Sequence, residues 1–87
     1  MTARRWCEHA AAAAGSRCEC WTRGVEGSHR LPEGLAILHI NGVGQLTGRG
    51  SGYTEAEAEE YAYVALRGEM RSLAAGVTAA NDAAAGE

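Results

Sequence analysis

The chain has 87 residues, enough for one small domain with a modest core, which argues against a second domain. Eight Arg and no Lys stand against eleven acidic residues, a net charge of −3, so no global positive field exists to draw in nucleic acid or an anionic membrane. No stretch approaches the roughly twenty apolar residues of a membrane span.

Thr2 is placed to cap a first helix over residues 3–14, with alanines supplying propensity and Gly15 a left-handed stop. Its apolar stripe is expected to carry Trp6, Ala10 and Ala13, with Cys7 and Ala14 beside it and Trp6 as the anchor. From Arg17 to Arg23 the residues alternate, Cys18, Cys20 and Thr22 against Arg17, Glu19, Trp21 and Arg23, which predicts a strand. Residues 24–34 hold three glycines and the only proline and read as a connection.

Leu35 to Ile40 is the second predicted strand, with Ala36, Leu38 and Ile40 on one face and Leu35, Ile37 and His39 on the other. Asn41-Gly42, flanked by Ile40 and Val43, matches a two-residue hairpin turn. Gln45 to Gly50 is the third strand, with Leu46 pointing inward, and Gly48, Gly50 and Gly52 are expected to break the regular pattern at its end. Thr54 and Glu57 form a capping box that opens a second helix. Its core face is expected to hold Ala58, Tyr61, Ala62, Ala65, Leu66, Met70 and Leu73, and its end to lie near Gly76. Residues 1–76 thus read as one domain and 77–87 as a flexible low-complexity tail.

This order, an α+β arrangement α-β-β-β-α with a three-stranded antiparallel sheet and two helices on one face, resembles the double-stranded-RNA-binding domain. Glu26-Gly27-Ser28-His29-Arg30 resembles that family's loop between its first two strands. Ile40-Asn41-Gly42 resembles its second hairpin, Gly48-Arg49-Gly50 the end of its third strand, and Ala58, Ala62, Ala65 and Leu66 its last helix. The resemblance implies a lysine cluster at the start of the last helix that holds RNA phosphates. Here that turn reads Tyr53-Thr54-Glu55-Ala56-Glu57-Ala58-Glu59-Glu60, so carboxylates stand where phosphate would approach and counterion release cannot drive binding. The fold is expected without its RNA clamp, and nucleic acid is not the expected partner.

Trp21, Leu35 and Ile37 fall on the sheet face opposite the helices and would form an exposed apolar patch, a protein-partner or homodimer contact. A one-residue slip in phase would move them into the core instead. Glu57, Glu59 and Glu60, with Glu55, could imitate phosphates for a basic partner, although acids at a helix start are also what the macrodipole favours. Residual RNA binding would fall to His29, Arg30 and Arg49.

Cys7, His9, Cys18 and Cys20 are metal-type ligands, but Cys7 and His9 do not share a helix face, so small buried thiols are the expected role and no metal is assigned. The glycines before the second helix match no phosphate-binding fingerprint, and no catalytic set is seen, so no cofactor and no enzymatic activity are expected. The odd cysteine count, and a polar start in which Glu8, His9 and alanines follow Arg4 and Arg5, point to reduced thiols and a cytoplasmic setting. The dominance of Ala, Gly, Glu and Arg, amino acids that guanine- and cytosine-rich codons encode, suggests a GC-rich bacterium or its phage as the source. The expected function is a small non-enzymatic module that binds a protein or itself, the alternatives being residual double-stranded RNA binding and acidic mimicry of nucleic acid against host defence.

Overall fold

The computed structural model describes residues 2–24, 31–40 and 44–85, with side chains of the last helix described to Ala74. The expected Asn41-Gly42 turn and the loop carrying His29 and Arg30 lie outside the described residues. Two helices and three strands follow in the order α1 (Ala3–Ala13), β1 (Arg17–Arg23), β2 (Glu33–Ile40), β3 (Gly44–Ser51) and α2 (Glu55–Ala85). The strands form one antiparallel sheet in the order β1-β2-β3, and both helices pack on the same face of it. The α+β class and the α-β-β-β-α order read from the sequence are those of the structure.

Local chemistry sets the ends of these elements. The Thr2 hydroxyl accepts the Arg5 N–H at 3.2 Å and caps α1. Gly15, at φ 69°, closes it: its N–H donates to the Ala12 carbonyl at 3.1 Å, and the Ser16 N–H donates to the Ala11 carbonyl at 2.8 Å. At α2 the Thr54 hydroxyl accepts the Glu57 N–H at 3.1 Å while the Glu57 carboxylate accepts the Tyr53 N–H at 2.9 Å. The expected stop near Gly76 is not the end of α2, which runs to Ala85. The alanines beyond Gly76 are the strongest helix formers, and together they outweigh a penalty of about 1 kcal/mol for one glycine.

The core is built from small residues. Ala3, Cys7 and Ala11 are the buried line of α1, Ala36 and Leu38 that of β2, and Ala58, Ala62, Tyr63 and Leu66 that of α2. Trp6 is therefore not the central anchor of α1, and Ala13 is exposed. The narrow space between the helices admits Cys7, whose thiol donates to the Tyr63 carbonyl at 3.6 Å. Trp6 lies on the flank, where the Arg71 guanidinium stacks 5.1 Å from its ring centroid. On α2, Tyr63 rather than Tyr61 enters the core, because the buried arc centred on Ala62 and Leu66 turns toward α1. Tyr61 stays 55% exposed, and Leu73 is exposed too.

The glycines have a different role from the one expected. Gly48 and Gly50 do not interrupt structure but lie inside β3, on the side facing α2. A Cβ built on Gly48 would sit 2.2 Å from the Leu66 nitrogen and 2.5 Å from the Ala62 carbonyl oxygen. On Gly50 it would sit 2.4 Å from the Ala62 nitrogen, and on Gly34 2.6 Å from the Ala58 carbonyl oxygen. These neighbours are backbone atoms, which cannot rotate away. The helix backbone rests directly on a glycine floor.

Gly48→Ala is therefore expected to destabilise the chain by about 3 kcal/mol or more, or to prevent folding. Gly68→Ala, where an added Cβ meets nothing within 4 Å, should stabilise it by about 1 kcal/mol. Urea denaturation of the two variants beside the parent checks both.

Candidate interaction surface

Alternation divides the sheet cleanly. Cys18, Cys20, Gly34, Ala36, Leu38, Leu46, Gly48 and Gly50 face the helices, so the odd-numbered residues of all three strands face outward. The pairing register arranges that outer face as four rungs across β1, β2 and β3: Arg23-Glu33-Ser51, Trp21-Leu35-Arg49, Glu19-Ile37-Thr47 and Arg17-His39-Gln45. The expected strand phase holds. Trp21, Leu35 and Ile37 share this face, with Trp21 65% exposed and Leu35 and Ile37 half-buried between their neighbours.

The two middle rungs give the face its apolar centre, and the outer rungs are polar. Trp21, Leu35 and Arg49 line an open depression of about 520 Å³, with Arg23 and Glu33 at its end. Among the described residues Arg49 has no ion-pair partner. At the opposite end the His39 Nε2–H donates to Glu19 at 2.6 Å, which leaves Nδ1 to accept from the Gln45 amide at 3.4 Å. The hydrogen bond from His39 is the main reason the Glu19 carboxyl is held below its ordinary value of 4.5.

Three of the four acidic residues at the start of α2 are engaged within the molecule. Glu57 caps its own helix. Glu59 accepts from the Arg4 guanidinium at 3.0 Å, and Arg4 in turn binds Glu8 at 2.9 Å. Glu60 accepts the Ala3 N–H at 3.3 Å, where α1 has an unpaired donor. Three carboxylates that sequence alone grouped as one negative cluster thus tie α2 to its own cap and to α1. Of the RNA-type set, Arg49 lies on the outer sheet face in the rung of Trp21 and Leu35, and His29 and Arg30 are outside the described residues.

The cysteines face inward. Burial pushes the Cys7 thiol up to about 11 and also raises Cys18 and Cys20, all three free. The Cys18 thiol donates to the Cys7 carbonyl at 3.6 Å, and His9 is exposed on α1. Among the described residues no three His, Cys, Asp or Glu side chains converge as metal ligands, and no helix is long and apolar enough to cross a membrane.

No protein-family model, curated protein or solved structure matches the chain. The surface must therefore be interpreted from its own chemistry. Sequence reasoning found the three apolar residues of the face but did not place Arg49 with them. The available signal was parity, since Leu46 facing inward makes Thr47 and Arg49 face outward with Leu35 and Ile37.

His39→Leu should move the Glu19 carboxyl up toward 4.5, read by NMR titration of its side chain. Because Glu19 titrates lower in the folded chain than in the unfolded one, its contribution to stability is complete above about pH 4.5. That contribution is lost as the pH falls through the folded-state value, so the variant should show a weaker loss of stability on acidification in this range. The thiols should resist alkylation at pH 8 in the native chain and all three should react in urea, measured by mass spectrometry.

Proposed function

We propose that this chain is a small non-enzymatic protein-interaction module that binds through the outer face of its sheet. The observation that carries this reading is Trp21. Among the described residues it is the largest side chain left mostly in water, it sits beside Leu35 and Ile37 on a face no helix covers, and polar rungs close the patch at both ends. Large aromatic and Arg side chains ringed by polar residues are the usual anchors of protein interfaces, and Trp21 with Arg49 supplies both.

The reading also takes the fold as that of a double-stranded-RNA-binding domain without its phosphate clamp. Support comes from the element order and from the start of α2, where carboxylates occupy the turn on which phosphates would have to rest. A helix start carrying Glu55 and Glu57 repels a nucleic-acid backbone at the point where its dipole would otherwise attract it. The internal bonds of Glu57, Glu59 and Glu60 favour the sheet face over this acidic turn as the working surface.

Trp21→Arg is expected to keep the far-ultraviolet circular dichroism of the parent and to change its stability by no more than about 0.5 kcal/mol, as exposed substitutions usually do. Binding to a protein partner should be lost in the same variant. A variant that unfolds would assign Trp21 a structural role and remove this reading. Titration against an RNA duplex at low and at physiological salt should show no saturable binding, and RNA-selective saturation would replace the protein-binding function with a nucleic-acid one.

A further inference from the structure

The occupant of the outer face can be identified from how its charges are arranged. We propose that it is a second copy of this chain, stacked face to face about a two-fold axis running along β2. The proposal rests on the reading of this face as the interaction surface. Such an axis keeps the rungs level and lays β1 of each copy over β3 of the other.

Trp21 then lies over the second copy's Arg49, and Arg49 over the second copy's Trp21. Sheets pack about 10 Å apart, so a guanidinium reaches the indole face within the roughly 6 Å at which the two attract. Arg49 has no ion-pair partner among the described residues to hold it back. The same operation sets Arg17 over Gln45, Glu19 over Thr47 and Arg23 over Ser51, so every charged edge residue meets a neutral hydrogen-bonding one. Leu35 and Ile37 stack on their own copies along the axis, Leu35 within the depression that Trp21 and Arg49 line. Glu33 and His39, the end residues of β2 on this face, each meet their own copy, and Glu33 is flanked in register by Arg23 of its own chain.

Other two-fold arrangements are less favourable. An axis running across the strands between the middle rungs puts Arg23 over Arg17, and one centred on the Trp21 rung puts Arg49 over Arg49. Of the axes that keep all four rungs in contact, the one along β2 avoids a like-charge contact on both edge strands. The face is small: three strands about 4.8 Å apart and about 25 Å long cover roughly 400 Å² per copy, half of what a stable interface usually offers. The association is accordingly weak and dependent on concentration.

Sedimentation equilibrium from micromolar to millimolar concentration tests this, with circular dichroism confirming that each variant is folded. The parent should pass from monomer to dimer across the range. Trp21→Arg, which sets an arginine opposite Arg49, and Arg49→Glu, which removes the cation, should each remain monomeric. The exchange variant W21R/R49W should dimerise again, because every arginine once more faces a tryptophan. A parent that stays monomeric throughout overturns the second copy as occupant, while partner binding that is still lost in Trp21→Arg preserves the interaction face. A dimer untouched by either single substitution overturns both the occupant and the face. A dimer lost in the single variants and not restored by the exchange overturns the axis along β2.

Discussion

The structure depends on how closely α2 approaches the sheet. Side chains normally hold a helix and a sheet about a side-chain length apart, yet here the backbone of α2 at Ala58, Ala62 and Leu66 lies where Cβ atoms on Gly34, Gly48 and Gly50 would be. A chain this short cannot bury much apolar area, and among the described residues the largest fully buried side chains are Leu66 and Cys7. Close contact between backbones compensates with dense dispersion contacts over many atoms, none of which loses rotamer entropy on folding. The lack of phenylalanine and the abundance of glycine and alanine are two aspects of the same design.

That contact also determines what remains for function. With the glycines, alanines and cysteines of the strands on one side of the sheet, most of their charged and aromatic side chains fall on the other, and the two helices cover only the first. The outer face becomes a flat field whose apolar centre is held between a histidine-carboxylate pair at one end and an arginine-glutamate rung at the other. The acids of α2, by contrast, fasten the two helices together through Arg4 and the amino terminus of α1. The charge pattern thus separates by place, with internal bracing on the helices and an uncovered mixed face on the sheet.

Much of this was legible in the residues, where a strong local signal was present. Strict alternation in Arg17 to Arg23 gave β1 its full extent, and Gly15 marked the end of α1 because a positive φ is what glycine alone takes easily. The capping pair Thr54 and Glu57 located the start of α2. Local signals failed where the answer depended on a neighbour. An alanine-rich helix has almost no contrast between faces, so the stripe through Ala3, Cys7 and Ala11 was mistaken for one through Trp6 and Ala10. Tyr61 and Tyr63 are equally plausible core residues until the position of α1 is known. Gly48 and Gly50 resembled breakers because a glycine in isolation suggests a loop, whereas their spacing of two was the mark of a strand face pressed against a backbone. The partners of Glu59 and Glu60 lie more than fifty positions away, beyond the reach of any motif.

The parity of the sheet separates two kinds of sequence freedom. Even-numbered strand positions under the helices carry glycine, alanine, cysteine, leucine and isoleucine, fitted to what lies above them, and a change there affects whether the chain folds at all. The outward residues at odd-numbered positions hold no helix in place. The outer face can therefore acquire a new specificity, by selection in nature or by a designer, through substitution at alternate residues of three short strands while the architecture beneath is left untouched.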